Sequence, residues 1–110
     1  MNVGDLYWVE LPPRGGHAQA GRPPAIVAQA PSTLPSVLLV PLTSQLDALR
    51  FPGTVLVEAG QQNGLRDNSV ALVFQLTAVD KRCISERLGK ASDAVMAHIW
   101  SALDALTGRL

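Results

Sequence analysis

Charge is scarce in this sequence. Asp, Glu, Lys and Arg make up 16% of its 110 residues, against ~25% in soluble domains generally. Nine acids offset nine bases, so the formal net charge is zero. That excludes a chain-wide basic field for holding nucleic acid. A local basic patch stays open, because bases can cluster while the sum cancels. Cysteine is nearly absent: Cys83 stands alone, which excludes an internal disulfide framework and a multi-cysteine zinc site. Although Lys81-Arg82 precede it, Cys83 reads as a small strand residue. The two histidines, His17 and His98, lie in opposite halves of the chain, so no ligand pair occurs at helical spacing and no metal site is expected. The glycines form neither GxGxxG nor a Walker loop, and GxSxG is missing; no cofactor is expected. No apolar run approaches the ~18–20 residues of a membrane span. The opening MNVGDLYWVEL lacks a basic segment followed by an apolar run, so it does not read as a signal peptide. A cytoplasmic protein without membrane contact is expected.

Apolar residues, by contrast, are plentiful, at 47% with a mean hydropathy of +0.18. A chain of this length is expected to form one domain, 1–110, that buries roughly 60–70% of the surface its unfolded form exposes. High apolar content with so little charge implies that part of the surface is covered by a partner, most simply a second copy.

The apolar residues are arranged as short strands. Asp5 to Leu11 (DLYWVEL) alternates with period two and ends at Pro12-Pro13. Residues 12–24 hold four prolines and three glycines and form a loop. Ala25 to Gln29, Val37 to Leu42 and Thr54 to Glu58 read as strands, with Pro41 marking an edge or a terminus. Residues 59–68 are a turn-rich loop centred on Asn63-Gly64. Ser69 to Leu76 (SVALVFQL) reads as one long strand, Thr77 to Arg82 as a helical turn, and Cys83 to Gly89 as the last strand. Ser92 is a good N-cap with Asp93 in the first turn. Val95, Met96, Ile99, Leu103 and Leu106 then recur at helical spacing, and Gly108 ends the helix. Trp100 is expected to help bury it, and His98 to lie at a surface or interface. Trp8 reads as core, with base stacking as the alternative. The pattern is mainly β (α+β): five to six strands in a small curled sheet or barrel, capped by one C-terminal helix.

Two loops carry polar side chains beside rigid strands, the usual place for a site. One runs from Arg14 to Arg22 with His17 and Gln19; the other is Thr43-Ser44-Gln45. The collinear series GDLYWVEL, QAGRPPAIV, VPLTSQ, RFPGTV, SVALVFQL, TAVDKR and RLGKAS, followed by a helix, resembles the MazF/PemK family of toxin endoribonucleases. The resemblance runs from Gly4 to Leu106. It implies an SH3-like barrel, a homodimer, a cognate antitoxin with an acidic disordered segment, and metal-independent cleavage of single-stranded RNA by its own 2′-hydroxyl.

That chemistry needs the phosphate held in line and its growing charge stabilised. Thr43 falls on the family's functional threonine. The family's arginine, placed directly before the proline that opens the second strand, aligns with Pro23; Arg22 lies one residue earlier. The family's acids are also replaced, at Ala18, near Asn68 and at Phe74. Catalytic roles are therefore expected for Arg22, Thr43 and His17, whose side-chain type titrates at about 6.5. Arg14 is expected to anchor phosphate, while Gln19, Ser44 and Gln45 have donors and acceptors for unstacked base edges. The departures keep a second reading open: a non-catalytic module on the same fold, either a decayed toxin or a CcdB-like gyrase poison.

Overall fold

The computed structural model describes residues 1–11 and 21–109. Seven strands, β1 (Asp5–Val9), β2 (Pro24–Val27), β3 (Ser36–Thr43), β4 (Thr54–Val57), β5 (Ser69–Leu72), β6 (Thr77–Asp80) and β7 (Ile84–Lys90), precede one helix, α1 (Asp93–Thr107). Single 3-10 turns span Leu46–Arg50, Val73–Gln75 and Lys81–Cys83. The mainly β class with a C-terminal helix is as the pattern implies. All pairings are antiparallel, in the order β4-β5-β3-β2-β1-β7 with β6 also on β3. The sheet curls without closing, and β4 and β7 remain at its two ends.

Both faces of this sheet are buried, which is why its strands carry apolar runs. Leu6, Ile26, Val40 and Val57 pack on Met96 and Ile99 of α1. Val9, Ala25, Val27, Leu39 and Val79 fill the opposite side. The alternation of Ala25, Ile26 and Val27 between the two clusters is the two-residue period of a strand. Helix α1 begins and ends as its caps dictate. Ser92 Oγ accepts from the Val95 amide at 3.1 Å, and Gly108 adopts a φ of 75° past the last turn. Trp100 does not help bury the helix. It lies exposed, as does Leu106, and Met96 and Ile99 supply the buried stripe.

The long strand expected over Ser69 to Leu76 is broken in two. Leu42 pairs with Ala71 but Leu39 pairs with Thr77. Six chain steps on one side thus face three on the other. The surplus forms the Val73–Gln75 turn, and Thr77–Asp80 resumes as a strand where a helical turn was expected. Pro41 explains the break. The Ala28 amide donates to Leu38 O across β2 and β3. By the alternation of an antiparallel ladder, Pro41 then points its hydrogen-free nitrogen towards β5 and β6. Pairing lapses there, in the middle of a sheet, where an edge or terminus was expected. Strand count rises to seven for the same reason.

Candidate functional site

A cavity of about 380 Å³ opens where β1, the end of β3, β7 and the 59–68 loop meet. Thr43, Ser44 and Gln45 line it at the end of β3, and Trp8, half-buried on β1, forms part of the opposite wall. Three of the residues expected to act together are therefore brought together. Trp8 was expected in the core; it belongs to neither buried cluster and stands half-buried on the cavity wall, so its ring keeps an accessible surface.

The remaining wall comes from the 59–68 loop, through Leu65, Arg66 and Asp67. This loop is held tightly. Asn63 is buried, and its Oδ1 accepts from the Gly60 and Leu65 amides at 3.1 and 3.0 Å. Its Nδ2 donates to Glu58 O at 2.8 Å. Gly64 has a φ of +73°, and a Cβ there would strike the Leu88 carbonyl oxygen. A Cβ on Gly89 would in turn strike Gln62 O. The loop and β7 thus approach backbone to backbone, and the Lys90 amide closes the contact by donating to Gln62 O at 2.9 Å. On the other side of the loop, Asn68 Oδ1 accepts from the Ala59 amide at 2.8 Å and Ser69 Oγ donates to Asp67 O at 3.0 Å. Asn68 is therefore a structural tie, and the acid beside it in the cavity is Asp67.

Arg66 stands apart electrostatically. Arg22, Arg50, Arg82, Arg87 and Arg109 each lie within 4 Å of a carboxylate, at Glu10, Asp47, Asp80, Asp5 and Asp104 respectively. Among the described residues, no carboxylate reaches Arg66. Its guanidinium is permanently charged, so on the cavity wall it offers a fork of donors that no described carboxylate, its neighbour Asp67 included, engages within 4 Å. No motif singles out Arg66 or Asp67; the signal that could find them is a charged pair one residue past the Asn63-Gly64 turn.

Arg22 is placed differently from expectation. It lies outside the cavity lining, with Nε 3.8 Å from Glu10 Oε1 and Nη2 donating to Ser85 Oγ at 3.5 Å. Both contacts are long and exposed. Pro24, two residues on, does line the cavity, so Arg22 sits near its rim. Arg14, His17 and Gln19 lie outside the described residues. Among the described residues, no three His, Cys, Asp or Glu side chains gather as metal ligands, and no helix is long and apolar enough to cross a membrane.

A family model described as PemK-like, MazF-like toxin of type II toxin-antitoxin system matches residues 2–107. The chain belongs to this toxin family. A relative named Endoribonuclease MazF, from Staphylococcus saprophyticus, is 29% identical over 98% of this chain and 92% of its own. Endoribonuclease EndoA of Bacillus subtilis is 27% identical over 91% and 88%. The crystal structure of MazF from Deinococcus radiodurans superposes with a TM-score of 0.82 at 28% identity, over 98% of this chain and 96% of that one. A MazE-MazF structure from the same organism gives 0.76 at 28% identity, over 98% and 96%. The MazF/PemK resemblance read from the motif series is thus shown by the family match.

Proposed function

We propose that this chain is the toxin of a type II toxin–antitoxin pair and an endoribonuclease that cleaves single-stranded RNA, messenger RNA included, in the cytoplasm. The observation that carries this reading is the convergence of the Thr43 hydroxyl, the Arg66 guanidinium and the Trp8 ring on one cavity. A hydroxyl and a planar cation are the groups that stabilise charge on a phosphate. A ring beside them receives an unstacked base. The names of the relatives point the same way.

In this reading the ribose 2′-oxygen attacks phosphorus and the bond to the 5′-oxygen breaks. The products are a 2′,3′-cyclic phosphate and a 5′-hydroxyl. One proton leaves the attacking hydroxyl and one is delivered to the departing oxygen, and His17 is the loop residue suited to carry it. Thr43 and Arg66 hold the phosphate oxygens, Arg22 serves from the rim, and Ser44 and Gln45 meet base edges. Arg14 and Gln19 extend the contacts along the strand. No cofactor is needed for this step.

The active form in this reading is a homodimer. Leu49, Leu56, Trp100 and Leu106 are large apolar side chains left exposed, apolar surface that a second copy would cover. An acidic, disordered antitoxin segment would inhibit by laying carboxylates where RNA phosphates otherwise lie, across the loops that carry Arg14, Arg22 and Arg50 and beside Arg66. Its binding would weaken with salt.

The test is incubation of purified protein with mixed-sequence RNA in excess chelator, followed by analysis of the product ends. Cyclic phosphates and free 5′-hydroxyls are expected, with DNA of the same sequence left intact because it lacks the nucleophile. The position of Arg22, turned to Glu10 and Ser85, favours the second reading, a binding module without chemistry. That reading prevails if no RNA is cut while an acidic antitoxin still binds.

A further inference from the structure

Beyond Thr43 and Gln45, which it shares with the first cavity, lies a second one of about 100 Å³. Its outer wall is formed by Phe51 and Phe74, the only two phenylalanines in the chain. Their ring centroids are 6.0 Å apart with the planes at 59°. The Arg50 guanidinium lies over the Phe51 ring, 4.8 Å from its centroid, and is 3.5 Å from Asp47. Phe51 and Phe74 remain 45% and 41% exposed.

Both rings are brought to the surface by backbone devices. Phe74 is the middle residue of the three-residue turn that interrupts β5 and β6, and its amide donates to Gly53 O. Phe51 ends the Leu46–Arg50 turn, its amide donating to Ala48 O. An interruption of a strand ladder such as the one at Val73–Gln75 re-aims side chains, as bulges do near functional sites. The result is an aromatic shelf with a cation on top, next to the phosphate-holding wall.

We propose that this shelf is a nucleobase subsite, taking the unstacked base of a nucleotide that flanks the phosphate held at Thr43. The proposal rests on the ribonuclease reading of the first cavity and adds a place where the strand leaves it. Every base has a π-face, so two tilted rings and a guanidinium accept a base with little sequence preference. The shared wall makes the two sites continuous. A second copy of the chain seated here would have to desolvate the Arg50–Asp47 pair. A base covers the rings and one face of the Arg50 guanidinium and leaves the Asp47 carboxylate in water.

The experiment is an abasic scan. A single-stranded DNA oligomer of fixed mixed sequence binds without being cut, and each base in turn is removed. Binding is measured for the wild type and for the Phe51→Leu/Phe74→Leu double variant, which keeps apolar volume but no ring face. One abasic position is expected to weaken wild-type binding by about 5- to 150-fold, the scale of one base–aromatic stack, and to leave the double variant unchanged. Phe74→Tyr should retain the wild-type response. Equal scans for wild type and double variant overturn the proposal. So does a double variant that sediments as a monomer where the wild type is a dimer, since the shelf is then a contact between copies. Failure of RNA cleavage with the abasic coupling present removes the ribonuclease reading and leaves the base subsite standing. Cleavage without the coupling does the reverse.

Discussion

The Gln45 amide donates to the Thr43 side-chain oxygen at 3.2 Å. This short turn at the end of β3 fixes the hydroxyl at the cavity wall and occupies one of its lone pairs. Its proton stays available to a phosphate oxygen. Thr43→Val, which keeps shape but removes the hydroxyl, is therefore expected to lower kcat by roughly ten- to a thousandfold, about 2–4 kcal/mol at the upper part of that range. KM should change little, and Thr43→Ser should recover most of the rate. Steady-state cleavage of an RNA oligomer checks this; a Thr43→Val enzyme with wild-type kcat would take Thr43 out of the chemistry.

Arg66 and Arg22 differ in what already holds them. Arg22 has Glu10 and Ser85 within reach, whereas Arg66 has no carboxylate among the described residues. Arg66→Gln is thus expected to cost more than Arg22→Gln in both binding and cleavage. The plot of log affinity for a single strand against log salt should become shallower by about 0.7 when one phosphate contact is lost. Arg82→Gln, which removes an equal charge already paired with Asp80, serves as the control for the overall field. An Arg66→Gln slope equal to that of Arg82→Gln counts against a phosphate contact.

Much of this architecture was legible in the sequence because it follows from local rules. Period-two runs marked β1, β2, β3 and β4, and Ser92, the apolar stripe and Gly108 bounded α1 within a residue. What escaped was set by tertiary pairing. SVALVFQL contains no turn residue after its opening Ser69, yet Pro41 on the neighbouring strand interrupts its ladder and throws Phe74 outwards. Of the candidate site, Thr43, Ser44 and Gln45 were legible because they end a strand. Arg66 and Asp67 were not, because their orientation depends on Gly89, distant in sequence, letting the loop close against β7. Arg22 was expected to reach the site from one residue before the family's arginine position at Pro23, but its guanidinium lies beside Glu10, just past β1, and Ser85.

The clamp on the 59–68 loop gives a positioning test. Asn63→Ala removes the one donor and two acceptor contacts that this buried side chain makes to the loop backbone, a loss of about 1–3 kcal/mol in stability. Because Arg66 depends on that loop, the variant should also shed part of the salt dependence of strand binding, as Arg66→Gln does. Thermal unfolding gives the first quantity and the salt slope the second. A variant that melts lower yet keeps the full slope makes Asn63 structural only.

The last prediction concerns acid stability. Asp5 is 5% exposed on β1, with Oδ2 accepting from the Asn2 amide at 2.9 Å and Oδ1 from Arg87 Nη2 at 3.2 Å. Burial pushes its carboxyl up, but the Asn2 hydrogen bond and the bond and charge of Arg87 outweigh it, holding the group below its ordinary 3.8. A depressed folded pKa means that the folded state binds fewer protons than the unfolded chain. The contribution is then fully present above the unfolded value and disappears as pH falls from about 5 through 3.8 and below. Asp5→Asn should be less stable than wild type at pH 7 by about 1–3 kcal/mol, the scale of charge-assisted bonds, nearer the lower figure because Arg87 is half exposed. Asp80 is also held low, by hydrogen bonds from the Arg82 side chain and amide, but it is common to both proteins and cancels in the difference. Urea midpoints at pH 7 and pH 3 give the comparison. The gap should narrow towards acid; a gap that stays constant or widens would mean that the Asp5 charge contributes nothing to holding β1 against β7.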